Sequence, residues 1–158
     1  MFNYKIKRKE KTKTFEEKIY LALKTTSIET LDKLSKDEHC LVRGNVACNH
    51  NTSTKTLEKL SEDEEYEVRR NIVYNPNAPA KALDKLSEDE DWYIRYLIAK
   101  HPNSSVETLD KLSEDKEKHI REEVAKNQNS SSETLVKLLN DTNKEVIVAV
   151  VNNPNFYK

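Results

Sequence analysis

Residues 83–90 read "LDKLSEDE", and the phrase returns along the chain. Residues 31–38 read "LDKLSKDE", residues 57–64 "LEKLSEDE" and residues 109–115 "LDKLSED". Leu31, Leu57, Leu83, Leu109 and Leu135 stand 26 apart, as do Leu34, Leu60, Leu86, Leu112 and Leu138. Asp37, Asp63, Asp89, Asp115 and Asp141 keep the same step, and so do Asn51, Asn77, Asn103, Asn129 and Asn155. A fixed period of roughly 20–50 residues marks a solenoid, in which each unit buries its apolar face against its neighbours.

Each unit reads as two short helices. In residues 104–129, "SSVETLDKLSEDKEKHIREEVAKNQN", Ser104 suits an N-cap and Glu107 completes a capping box. Thr26 with Glu29 and Ser130 with Glu133 repeat the pair, and Pro79 suits a first helical position. Val106, Leu109 and Leu112 then share one face of a first helix, A, short enough to contain a 3₁₀ turn. Asp115 opens a second helix, B, whose free N–H groups its carboxylate can cap. Ile120 and Val124 lie four apart toward the core, and their copies are Val42, Val68, Ile94, Val146 and Val46, Ile72, Ile98, Val150. Helix B ends in a phrase that reads "NPN" at 75–77 and 153–155, where a left-handed Asn and a helix-stopping Pro are expected. The repeated phrase is thus the turn between A and B.

The pattern L-x-x-L-x-x-D, then V-R, then N-P-N resembles the leucine-rich repeat variant, related in kind to HEAT and armadillo solenoids. The resemblance covers residues 25–155. It implies an all-α, right-handed α-solenoid, here of five two-helix repeats, in a family whose units alternate α and 3₁₀ helices. It also implies a non-enzymatic protein-binding scaffold. Some members carry an iron–sulfur module on clustered cysteines; no such cluster occurs in this sequence, so no cofactor is expected.

Composition narrows the function classes. Of 158 residues, 35% are hydrophobic and 35% charged, and the net charge of −1 gives no overall basic field for nucleic acid or anionic membrane. The first thirteen residues are different, with Lys5, Lys7, Arg8, Lys9, Lys11 and Lys13 against Glu10. They read as a flexible leader (1–13), followed by a capping helix (14–24), the repeats (25–155) and a short tail (156–158). No signal peptide is visible, and the longest aliphatic run, residues 146–151, is far short of the roughly 20 residues of a membrane span. Two cysteines make no disulfide framework. A soluble, cytoplasmic protein with reduced thiols is expected.

Catalytic signals are absent from the sequence. Gly44 is the only glycine, so there is no phosphate-cradling loop. Cys40 and Cys48 sit eight apart on one helix, about 12 Å at ~1.5 Å per residue, too far for one tetrahedral metal or for a disulfide. Arg43, Arg69, Arg95 and Arg121 recur six residues after the repeated Asp. That reads as an Arg–Asp staple between units rather than a phosphate ladder. Ile147 takes the place in the last unit, which has nothing further to staple.

Positions that vary are expected to meet a partner. The outward row of helix B gives Cys40, Gly44, Cys48; Tyr66, Arg70, Tyr74; Trp92, Tyr96, Lys100; Lys118, Glu122, Lys126; and Lys144, Val148, Asn152. Trp, Tyr and Arg are the residues of binding hot spots. Tyr66, Arg70, Tyr74, Trp92, Tyr93, Tyr96 and Lys100 are therefore the candidate partner-binding residues. The alternative is nucleic-acid binding through Arg70, Lys100, Lys118, Lys126 and the basic leader. At the back of the stack the apolar residues 146–151 need cover, either from Phe156 and Tyr157 folding back or from a second copy, end to end. The expected state is accordingly a monomer or such a dimer.

Overall fold

The computed structural model describes residues 13–157, so the leader lies outside the described residues apart from Lys13. Among these residues there are eleven α-helices and no strand. α1 (Phe15–Lys24) comes first. Five A helices follow at one step: α2 (Ile28–Leu34), α4 (Thr54–Leu60), α6 (Ala80–Leu86), α8 (Val106–Leu112) and α10 (Ser132–Leu138). Each is paired with a B helix: α3 (Cys40–Cys48), α5 (Tyr66–Val73), α7 (Trp92–Lys100), α9 (Lys118–Lys126) and α11 (Lys144–Val151). The chain is a helical repeat solenoid. Both members of each pair are α-helical, so the 3₁₀ element implied by the resemblance is absent from the described helices. No described helix is long and apolar enough to cross a membrane.

Two-turn helices are unstable alone and form here because packing supports them. Leu31, Leu57, Leu83, Leu109 and Leu135 are buried in one interior column, with Val42, Val68, Ile94, Ile120 and Val146 facing them from the B helices. The serine of the repeated phrase closes helix A: the Oγ of Ser61, Ser87 and Ser113 each donates to the carbonyl three residues back. α1 is capped by Thr14 and Glu17 in a reciprocal box, packs against α3, and ties Lys18 to Asp37 at 2.7 Å.

Several local expectations are corrected. The N-caps of α2, α8 and α10 are Ser27, Ser105 and Ser131, one residue later than the sequence suggested, and Pro79 is itself the N-cap of α6. In α2, α8 and α10 the third helical residue is then a threonine, not the glutamate, so no capping box forms there. The residue before the cap works elsewhere: Thr52, Ser104 and Ser130 each donate a hydroxyl to a carbonyl of the preceding B helix at 2.6 Å. The Asp of the repeat accepts the N–H two residues on, at the B-helix cap residue, rather than from within the helix. No described residue has positive φ; helix B ends on an extended or right-handed residue.

Three sets of bonds reach back or forward by one unit and set the stacking. Arg95 Nε and Nη2 grip Asp115 of the next unit at 2.7 and 3.3 Å, while Nη1 holds the carbonyls of Asp89 and Glu90. Arg43, Arg69 and Arg121 do the same to Asp63, Asp89 and Asp141. The amides of Asn49, Asn75 and Asn153, all buried, and of half-buried Asn127 each donate to two backbone carbonyls of the preceding unit. Thr56, Thr108 and Thr134 donate to Asp32, Asp84 and Asp110 on the neighbouring A helix.

Candidate functional site

The B helices do not expose the whole row assigned to them. Gly44 is buried, a correction to its place on the outward face. A Cβ added there would lie 3.2 Å from Asn71 Nδ2 and 3.9 Å from Val68 Cγ2, both on α5. Its position is therefore the seam between adjacent B helices, and the missing side chain lets α3 and α5 pack along their length. The equivalent residues are Arg70, Tyr96 and Glu122, all half-buried, and Val148 of the last described pair, which is exposed.

Arg70 in this seam is bulky and charged. It pairs with Glu67 at 2.6 Å, lies 5.5 Å over the Tyr66 ring, and leaves its buried Nε without a partner among the described residues. Beyond it the stack changes. α7 packs closely on α9, and α9 on α11, but α5 and α7 touch sparsely. A groove of about 740 Å³ lies along α7 at this place. Val73 and Tyr74 form one wall, the outer face of α7 its floor, and His119, Glu122 and Glu123 of α9 the other wall.

Of the seven candidate residues, Tyr74, Trp92, Tyr93, Tyr96 and Lys100 line this groove. Tyr66 and Arg70 do not line it; they sit together on α5. Trp92 is 48% exposed and Tyr74 57%, whereas Tyr66, Tyr93 and Tyr96 are half-buried. Tyr66 and Tyr96 also pack against the core, so the rings divide between surface and interior rather than all being exposed. Tyr93 and Tyr96 stack with centroids 5.9 Å apart, and Trp92 meets both edge-on at 5.7 and 6.4 Å. Across the gap, burial raises the Tyr74 hydroxyl above its ordinary range, as does the nearby Tyr93 hydroxyl. The groove thus offers apolar ring area with hydroxyl donors at its edge.

His101 and His119 belong to the groove and were not among the candidates. Burial pushes the His101 imidazole down, so it is neutral near pH 7, and its Nδ1 accepts the Asn103 N–H at 3.1 Å. The signal for His101 was in the sequence: it stands where other units carry the first Asn of N-x-N. Of the four cations named for nucleic acid, Arg70 pairs with Glu67, Lys118 approaches Glu145 at 3.9 Å, and Lys126 holds Glu122 and Glu123 at 2.6 and 3.0 Å. Lys100 alone of these has no ion-pair partner among the described residues. Cys40 opens α3 and Cys48 closes it, both as free thiols.

At the far end Phe156 packs against the core, while Tyr157, Val148 and Val151 remain exposed. The fold-back is therefore partial.

Among solved structures the chain is similar to one described as a leucine-rich repeat variant with a novel repetitive protein structural motif. The TM-score is 0.69 at 29% sequence identity, over 90% of this chain and 57% of that one. The likeness read from the repeat pattern is borne out in three dimensions, and the chain spans little more than half the length of that structure. No protein-family model matches the chain, and a search of curated proteins returns no match.

Proposed function

We propose that this protein is a non-enzymatic scaffold that holds a protein partner in the groove along α7. A repeat solenoid of this kind commonly serves as a binding scaffold. One observation carries the finer reading: Trp92, Tyr93, Tyr96 and Tyr74 gather in one groove beside Lys100. Rigid amphipathic rings give large contact area at low entropic cost, and Trp and Tyr dominate binding hot spots. Residues fixed by the repeat are engaged in stacking; those released from it form the groove.

Nucleic-acid binding draws less support. Three of its four cations are neutralised by neighbouring carboxylates, which weakens any phosphate contact. The two free thiols suit a reducing compartment, and we assign the protein to the cytoplasm.

Affinity capture from native lysate tests the reading, with wild type, Trp92→Ala and Tyr74→Ala run in parallel. The expected result is a protein retained by wild type, lost from both variants, and bound with shallow salt dependence. Retention of the same protein by both variants, or a nuclease-sensitive and steeply salt-dependent catch, contradicts it.

A further inference from the structure

The stacking bonds are not distributed evenly. At the junction between the second and third A–B pairs, two of the three recurrent sets are missing. Where other units place the buried Asn, this one has His101. Its Nδ1 reproduces the acceptor half of the amide, taking the N–H two residues on, as the Oδ1 of Asn75 and Asn127 do. The donor half is gone: among the described residues no side chain replaces the two bonds that would reach back to the Val73 and Asn75 carbonyls. The second Asn follows suit. Asn77, Asn129 and Asn155 each donate to the preceding unit, whereas Asn103 makes no such bond among the described residues.

The threonine–aspartate bond is missing at the same junction. Ala82 stands where Thr56, Thr108 and Thr134 stand, and Glu58 where Asp32, Asp84 and Asp110 stand. What remains is the Arg69 staple to Asp89 and Glu90, the approach of the Tyr74 and Tyr93 rings across the groove, and ion pairs of Lys81 with Glu58 and of Lys85 with Glu62. Those ion pairs are largely exposed, and exposed pairs hold weakly. The packing agrees with the bonding. α5 and α7 touch only sparsely on the B side, while α4 and α6 stay in contact on the A side. Small, buried Ala82 lies at the A-side contact, and bulky Arg70 in the seam opposes closure on the other side.

We infer that this junction is the hinge of the solenoid, pivoting at α4 and α6 and opening between α5 and α7. Its opening sets the width of the groove along α7. The hinge itself stands on the missing bonds; its bearing on a partner rests on the reading given above. A ligand that fits the open groove shifts the hinge only by its differential affinity for that state. Weak cohesion concentrated at one interface makes that shift small enough for ordinary side-chain contacts to supply.

Hydrogen exchange of the free protein, followed by mass spectrometry, tests the hinge without any partner. Peptides covering the end of α5 and the start of α7 are expected to exchange faster than those at the α7–α9 and α9–α11 junctions. His101→Asn, which restores two hydrogen bonds, is expected to slow that exchange about tenfold. Asn127→His, which carries the defect to the next junction, is expected to speed exchange there. Ala82→Thr with Glu58→Asp gives a second repair should His101→Asn fail to fold. Equal exchange at all junctions overturns the hinge, as does a folded repair variant that exchanges at the wild-type rate. Loss of capture by Trp92→Ala bears only on the groove's occupant, so the two claims fail separately.

Discussion

Removing one arginine measures how firmly adjacent units are stapled. Arg95 is 8% exposed, and its guanidinium makes four hydrogen bonds, two to Asp115 and two to backbone carbonyls. In Arg95→Ala, the Asp115 carboxylate stays nearly buried and keeps only the Glu117 N–H at 2.9 Å. Breaking a buried pair by removing one partner costs about 3–5 kcal/mol, because the other charge is left uncompensated. For a chain of this size that corresponds to a fall in Tm of roughly 6–20 °C. Lys81→Ala is the control: its Nζ meets Glu58 at 3.0 Å but is 80% exposed, and such pairs contribute about 1 kcal/mol or less. Urea unfolding followed by helical circular dichroism reads both. A double-mutant cycle with Asp115→Ala is expected to give a total well below the sum of the single losses. An Arg95→Ala loss no larger than that of Lys81→Ala would falsify the view that these pairs hold the stack together.

Other perturbations read other parts of the molecule. Trp92→Ala is expected to cost under about 1.5 kcal/mol, since the ring is half exposed, whereas Tyr96→Ala costs more because its ring also packs on the core. The carboxyls of Asp37, Asp63 and Asp115 are pushed up by burial, but paired cations and backbone N–H groups hold them below the usual range; Arg121 does so for Asp141. Folded pKa values below the unfolded ones give stability that is complete above about pH 4 and lost as pH falls through the folded values. Urea midpoints should therefore decline shallowly below about pH 6.5, where the unfolded chain charges the His101 imidazole that burial keeps neutral, and drop steeply below about pH 4, with Asp115→Asn converging on wild type in acid. Asn127→Ala removes a donor from the Ala99 and His101 carbonyls, the latter keeping the Ser104 N–H, and is expected to cost about 1–3 kcal/mol in the same assay. Light scattering should find a monomer for wild type and concentration-dependent self-association for Phe156→Ala, which uncovers the last unit.

Much of the fold was legible because the period is strict. Leu31, Leu57, Leu83, Leu109 and Leu135 fall in one buried column, and the Arg–Asp spacing becomes a contact between units. Cap positions slipped by one where two hydroxyl residues adjoin, as at Ser104 and Ser105, because either can cap and only the helix start decides. Gly44 was misplaced for a geometric reason. A step of four residues overshoots a helical turn by about 40°, so a row of such steps drifts from the solvent face into the seam. The aromatic concentration around Trp92 was readable, but the groove was not. It depends on how far α5 stands from α7, and that follows from defects such as His101 and Ala82. Such defects become meaningful only once the regular bonds they interrupt have been seen.

Trp92 is the single tryptophan of the chain, so its fluorescence reports on the groove directly. Quenching by acrylamide and iodide is the most direct measurement of an open ring surface along α7. Ready quenching in the free protein, reduced when the captured partner is added, is the outcome expected of an accessible binding groove. Emission that resists both quenchers, or that the partner leaves unchanged, contradicts it.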